Sequence, residues 1–134
     1  MIDLNELYSI LRLAAMRGEI ISYSDLSALY RERTGEEHSP HGTWDSPLWQ
    51  LNAATKSSGL PPISAIVTYR IDPDDPDSQF VPPGNEFWGS PGVPNRPPTA
   101  ELRELEWMRL VGRVHQEKNW TEFLPGLNEE GHGE

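Results

Sequence analysis

The order of hydrophobic patterns along the chain predicts an α+β fold of the winged-helix type: a three-helix core, a β-hairpin wing and an added C-terminal helix. Three observations carry that expectation. Two segments of helical period flank a short extended step around Gly18–Ser24, a third helical segment follows a polar loop, and a β-branched run at residues 63–70 sits between turn formers. Three short helices cannot bury their apolar stripes alone, and an antiparallel strand pair with one apolar face would cover the open side. The length of 134 residues fits one domain.

The first helix is expected over about residues 4–17, with Leu4, Leu7, Tyr8, Leu11, Ala14 and Ala15 on one stripe and Gly18 as C-cap. Glu19-Ile20-Ile21-Ser22 reads as an extended piece. Ser24 is the expected N-cap of a second helix, with Asp25 in its first turn and Leu26, Leu29 and Tyr30 facing inward; it fades near Thr34-Gly35. After the loop Gly35–Thr43 a third helix starts near Trp44, capped by Asp45 or Ser46, with Pro47 in its first turn and Leu48, Leu51, Ala54 and Thr55 as its face. Gly59 closes it. Ile63–Arg70 is the strongest strand signal, and Asn85–Trp88 is its expected return strand across the acidic loop 71–84. Ser90–Pro98 reads as an extended Pro-rich linker. A fourth helix, capped by Thr99 and running to about Trp120, places Leu102, Leu105, Glu106, Met108, Leu110 and Val111 on and around its apolar side. The domain boundaries that follow are 1–90 for the winged helix, 91–98 for the linker, 99–122 for the C-terminal helix and 123–134 for a disordered tail.

Composition narrows the function classes. The net charge is −10, but residues 1–70 carry only −2, whereas 71–98 and 99–134 carry −4 each. No Lys/Arg cluster of the kind that holds a phosphate backbone is present. An acidic surface also keeps a protein in solution. Without cysteine there is no disulfide, thiolate metal site or cysteine nucleophile. No stretch approaches the roughly 20 apolar residues of a membrane span, and the start MIDLNELYSILRL lacks a signal-peptide pattern. A soluble, cytoplasmic chain is the expectation.

The phrase Gly18-Glu19-Ile20-Ile21-Ser22-Tyr23-Ser24-Asp25-Leu26 resembles the start of the C-terminal domain of the O6-alkylguanine-DNA alkyltransferases and alkyltransferase-like proteins. That domain opens with Gly-x-Val-x-(Ser/Thr)-Tyr-x-x-(Leu/Ile). The similarity runs weakly into Leu60-Pro61-Pro62-Ile63, covers about half the chain and implies a winged helix. It does not imply the family's chemistry. The active-site phrase Pro-Cys-His-Arg should fall within Ile63–Tyr69, where this chain has Ile-Ser-Ala-Ile-Val-Thr-Tyr. The arginine that replaces a flipped base has no counterpart among Trp44–Leu48, so no functional residue of the family carries over. Gly59–Val67 with Pro83-Gly84-x-x-Phe87-Trp88 is also similar to bacterial winged-helix proteins.

Motifs for catalysis are missing. The serines stand in no Gly-x-Ser-x-Gly elbow, and no Gly-rich turn with a lysine precedes a helix. His38 and His41 flank Ser39-Pro40 in a loop and supply at most part of a metal set. Asp72, Asp74, Asp75 and Asp77 lack the glycine and closing glutamate of an EF-hand. The expectation is a non-enzyme with no cofactor and no metal.

The candidate partner-binding residues are Trp44, Trp49, Gln50, Asn52, Lys56 and Trp88. Tryptophan is either a core anchor or an interface hot spot, and Gln50 and Asn52 offer amides that could read adenine. Lys56 is the only positive charge between Thr43 and Tyr69, and the wing carries four aspartates. A protein partner or a second copy of the chain is therefore expected before DNA. The DNA alternative needs a positive patch from Arg12, Arg17, Arg31, Arg33, Lys56 and Arg70. A third reading makes the acidic surface a mimic of nucleic acid that inhibits a DNA-binding protein. No membrane and no small-molecule substrate are implied.

Overall fold

Asp3 opens the fold by accepting hydrogen bonds from the backbone N–H groups of Asn5 and Glu6, the donors that a helix start leaves unpaired. The computed structural model describes residues 2–127, and α1 spans Leu4–Arg17. Leu4, Leu7, Tyr8, Leu11, Ala14 and Ala15 are buried, as their spacing requires. Gly18, at φ +70°, ends the helix in the left-handed conformation, and its N–H reaches the carbonyls of Ala14 and Ala15.

β1, Ile21–Ser22, leads directly into α2, Tyr23–Thr34. The cap is Ser22 rather than Ser24: its hydroxyl accepts the N–H of Asp25, so the helix begins two residues earlier than the sequence suggests. Leu26 and Tyr30 face inward, but Leu29 is exposed. α3 covers Asp45–Ser57, with Pro47 in its first turn. Trp44 holds the cap position without a side-chain bond to the first-turn N–H groups, so neither Asp45 nor Ser46 acts as the cap.

The predicted strand 63–70 divides in two. Ile63–Ile66 is a 3-10 helix, and only Val67–Arg70 forms β2. Side chains cause the break. Asn52 Oδ1 takes the Ser64 N–H, and Trp107 Nε1 donates to the Ala65 carbonyl, so these groups bond sideways instead of in a ladder. β2 lies between β1, which is parallel to it, and β3, Phe80–Val81, which is antiparallel.

The return strand is thus Phe80–Val81, not Asn85–Trp88. The intervening loop folds on itself: Ser78 Oγ donates to the Asp72 carbonyl, and Asp72 and Asp75 accept from the N–H groups two residues on. Arg70 reaches the Ser78 carbonyl and stacks over Phe80 at 4.2 Å, which pulls the chain back early. Pro82 and Pro83 then end the strand. Phe87 and Trp88 lie in the following turn, buried and packed edge to face.

The Pro-rich stretch 91–98 is anchored at one point and otherwise mostly exposed. Val93 is in the core, and the Gly89 N–H bonds the Pro94 carbonyl. α4 spans Ala100–Gln116 with Thr99 as cap, and it stops short of Trp120. Trp120 folds back so that its Nε1 donates to the Val114 carbonyl, one of the acceptors that a helix end leaves free. Leu124 and Leu127 are buried in the core while Phe123 before them and Pro125 between them are exposed, so residues 123–127 are anchored rather than a disordered tail; residues 128–134 of that expected tail lie outside the described residues.

The architecture is mixed α+β, four helices around a small three-stranded sheet. Trp107, Leu110, Val111 and Val114 of α4 join α1, α3 and the 3-10 helix in one apolar cluster. No helix among the described residues is long and apolar enough to cross a membrane.

Candidate binding surface

The five tryptophans separate cleanly. Trp44 is fully buried, its Nε1 donating to Ser27 Oγ at 2.9 Å and its ring packed edge-on with Tyr30 and His38. Trp88, Trp107 and Trp120 are also core residues. Trp88 Nε1 is buried with no partner. Trp49, with 52% of its surface exposed, alone faces solvent.

The other expected contact residues divide the same way. Asn52 is buried and fully engaged: its Nδ2 donates to the hydroxyls of Ser64 and Ser90, and its Oδ1 accepts from the Ser64 N–H. Gln50 and Lys56 are exposed, and the Gln50 amide donates to Ser46 Oγ one turn back. Trp44, Asn52 and Trp88 therefore build the core instead of touching a partner, because each has its ring or amide locked among core neighbours. Trp49, Gln50 and Lys56 remain on the surface of α3.

What surrounds Trp49 was hidden in the sequence. A cleft of about 20 Å³, room for about one water molecule, is lined by Trp49, Tyr23, Asp45, Glu86, Phe87 and Ser90 among others. A neighbouring cleft of about 60 Å³ is lined by Tyr23, Pro40, His41, Tyr69, Arg70 and Pro73. Tyr23 belongs to both, and its ring meets that of exposed Tyr69 at 4.6 Å between centroids. Tyr23 thus joins the Trp49 cleft of α3 to the Tyr69 cleft beside the hairpin.

Its charge is negative. Burial, and then the nearby Glu86 carboxylate, hold the Asp45 carboxyl above its ordinary range. Burial also raises the Tyr23 and Tyr69 hydroxyls, with Asp45 and Glu86 adding to the shift. Among the described residues neither Asp45 nor Glu86 forms a salt bridge. The hairpin loop beside them adds Asp72, Asp74, Asp75 and Asp77, all exposed. Two unpaired carboxylates flanked by aromatic faces suit a cationic side chain.

Four of the six basic residues counted for a positive patch are already engaged. Arg12 donates to the Trp120 carbonyl, Arg33 pairs with Glu6, Arg31 lies 3.9 Å from Glu37, and Arg70 holds Ser78 and Phe80. His38 pairs with Glu36 and packs against Trp44 and Tyr30, whereas His41 lines the second cleft. A larger groove of about 170 Å³ between α1 and α2 is lined by Ile10, Leu13 and Leu29, with Arg17, Glu19, Glu32 and Arg33 at its rim. Its charges balance and it holds no aromatic anchor.

Comparison with protein-family models, curated proteins and solved structures finds no match. Fold and surface together define a small α+β protein that displays one exposed tryptophan beside unpaired carboxylates.

Proposed function

We propose that this chain is a non-catalytic winged-helix module that binds a protein segment bearing basic side chains on its α3–hairpin face. The observation that carries the reading is the lining around Trp49: an exposed indole, the Tyr23–Tyr69 pair, and the Asp45 and Glu86 carboxylates without a cation. Exposed Trp and Tyr are the residues on which protein interfaces concentrate their binding energy. Carboxylates at this face repel phosphates and attract lysine and arginine.

Support for the winged helix comes from the element order, helix, strand, helix, helix, strand, strand, and from β1 lying beside the hairpin. The Gly18–Leu26 step supports kinship with the alkyltransferase C-terminal domain at the level of fold alone. Of the two amides that could read adenine, Asn52 is buried and Gln50 is turned onto Ser46.

The test is a titration of tryptophan fluorescence with an amidated peptide of alternating arginine and leucine, with its glutamate–leucine counterpart and a DNA duplex as controls, at about 50 mM salt. The arginine peptide should change the emission of Trp49, fail with Trp49→Ala, and bind more weakly to Asp45→Asn and Glu86→Gln. Binding of the duplex with no response to the arginine peptide would overturn the proposal.

A further inference from the structure

α4 has a second apolar face that the fold does not use. Trp107, Leu110, Val111 and Val114 point into the core. On the opposite side Leu102, Leu105 and Met108 are 46%, 68% and 50% exposed. At 100° per residue Leu105 lies at the centre of this outer face, with Leu102 and Met108 to either side. Glu101 and Arg109, both exposed, border Leu105 at i−4 and i+4. Gly112, one turn further on the same face, has open space where a Cβ would stand. Residues 128–134, Asn-Glu-Glu-Gly-His-Gly-Glu, contain no apolar side chain that could cover the stripe.

We propose that α4 is a self-association helix, through which two copies of the chain pair antiparallel about a twofold axis at Leu105. The pattern is palindromic about that residue. An antiparallel pair sets Leu105 against Leu105 of the second copy once, on the axis, and sets Leu102 against Met108 and Glu101 against Arg109 twice each, as isologous symmetry requires. A parallel pair would instead oppose Glu101 to Glu101 and Arg109 to Arg109. Charge thus selects the antiparallel register. Glu106 holds the Arg109 guanidinium at the edge of the stripe, through Arg109 Nε at 3.1 Å from Glu106 Oε2, so the apolar centre stays clear. Three side chains make a small patch, and association belongs to the weak class that buries less than about 1,200 Å². This proposal does not depend on the partner of the Trp49 face.

Sedimentation of the full chain from about 10 µM to about 1 mM should show the mass rising from 15.2 kDa toward a dimer. Glu101→Arg or Arg109→Glu alone should weaken association about tenfold, and the two together should restore it. Leu105→Asp should abolish it with an unchanged melting curve. The chain has no cysteine, so single cysteines report geometry directly. Under mild oxidation Leu105→Cys should cross-link, whereas Gly112→Cys should not, since antiparallel pairing separates the two 112 positions by about 20 Å. A monomer at every concentration, charge reversals without effect or without mutual rescue, or faster cross-linking at position 112 than at 105 would each overturn the proposal.

Discussion

Replacing Asn52 by alanine should destabilise the protein more than any substitution on the surface of α3. The side chain is 1% exposed and makes three hydrogen bonds, to Ser64 Oγ at 2.7 Å, to Ser90 Oγ at 3.2 Å and from the Ser64 N–H at 3.1 Å. Each bond contributes about 1 kcal/mol net, and a buried N–H left without an acceptor costs about 1–3 kcal/mol. The Ser90 hydroxyl keeps its bond to the Phe87 carbonyl, so its loss is partial. The expected destabilisation is about 3 kcal/mol, a large share of the roughly 5–15 kcal/mol of a typical domain. At this chain length that lowers Tm by about 10 °C. Ser64→Ala, which removes a single acceptor of the Asn52 amide, should cost about 1 kcal/mol. Urea unfolding followed by circular dichroism measures both, and the double variant measures their coupling. An Asn52→Ala variant within about 0.5 kcal/mol of the parent would refute the claim that this network locks the 3-10 helix to α3.

Three other outcomes follow from the same structure. Trp44→Ala should cost about 3–5 kcal/mol through the cavity it leaves, whereas Trp49→Ala should stay within about 0.5 kcal/mol; thermal melts of the pair check this. Gly18→Ala should cost about 1 kcal/mol in urea unfolding, because alanine resists the φ of +70° that closes α1. The raised Asp45 carboxyl binds its proton more tightly in the folded state, so its ionisation lowers stability as pH rises through the folded value. Asp45→Asn should therefore gain on the parent as pH increases from about 4 to about 7; parallel stability curves for the two proteins would refute this.

The local signals were legible in the sequence and the long-range ones were not. Gly18 and Thr99 were readable as caps because a left-handed glycine and a capping hydroxyl act within a turn of their own helix. Ile63–Ile66 reads as strand by composition, yet its backbone is claimed by Asn52 and Trp107, 12 and 42 residues away from Ser64 and Ala65. Helical period continues to Trp120 and extends the expected α4 to it, whereas its indole caps the helix from outside. The candidate surface was half legible: Trp49 stood out as an aromatic off the buried stripe of α3. Nothing in the spacing of Tyr23, Asp45, Tyr69 and Glu86 shows that the fold gathers them around it.

The clasp of α1 by the last described residues has a consequence for biosynthesis. Tyr8 donates to the Thr121 carbonyl and Arg12 to the Trp120 carbonyl, across 113 and 108 residues, while Leu124 and Leu127 complete the core. A ribosome that has made the first three helices and the hairpin holds a nascent chain whose α1 still shows part of its apolar face to solvent. Closure waits until residues 120–127 have left the exit tunnel. Folding of α1 is then tied to the emergence of residues 120–127, and its vulnerability to chaperones and proteases is concentrated in the interval before they arrive.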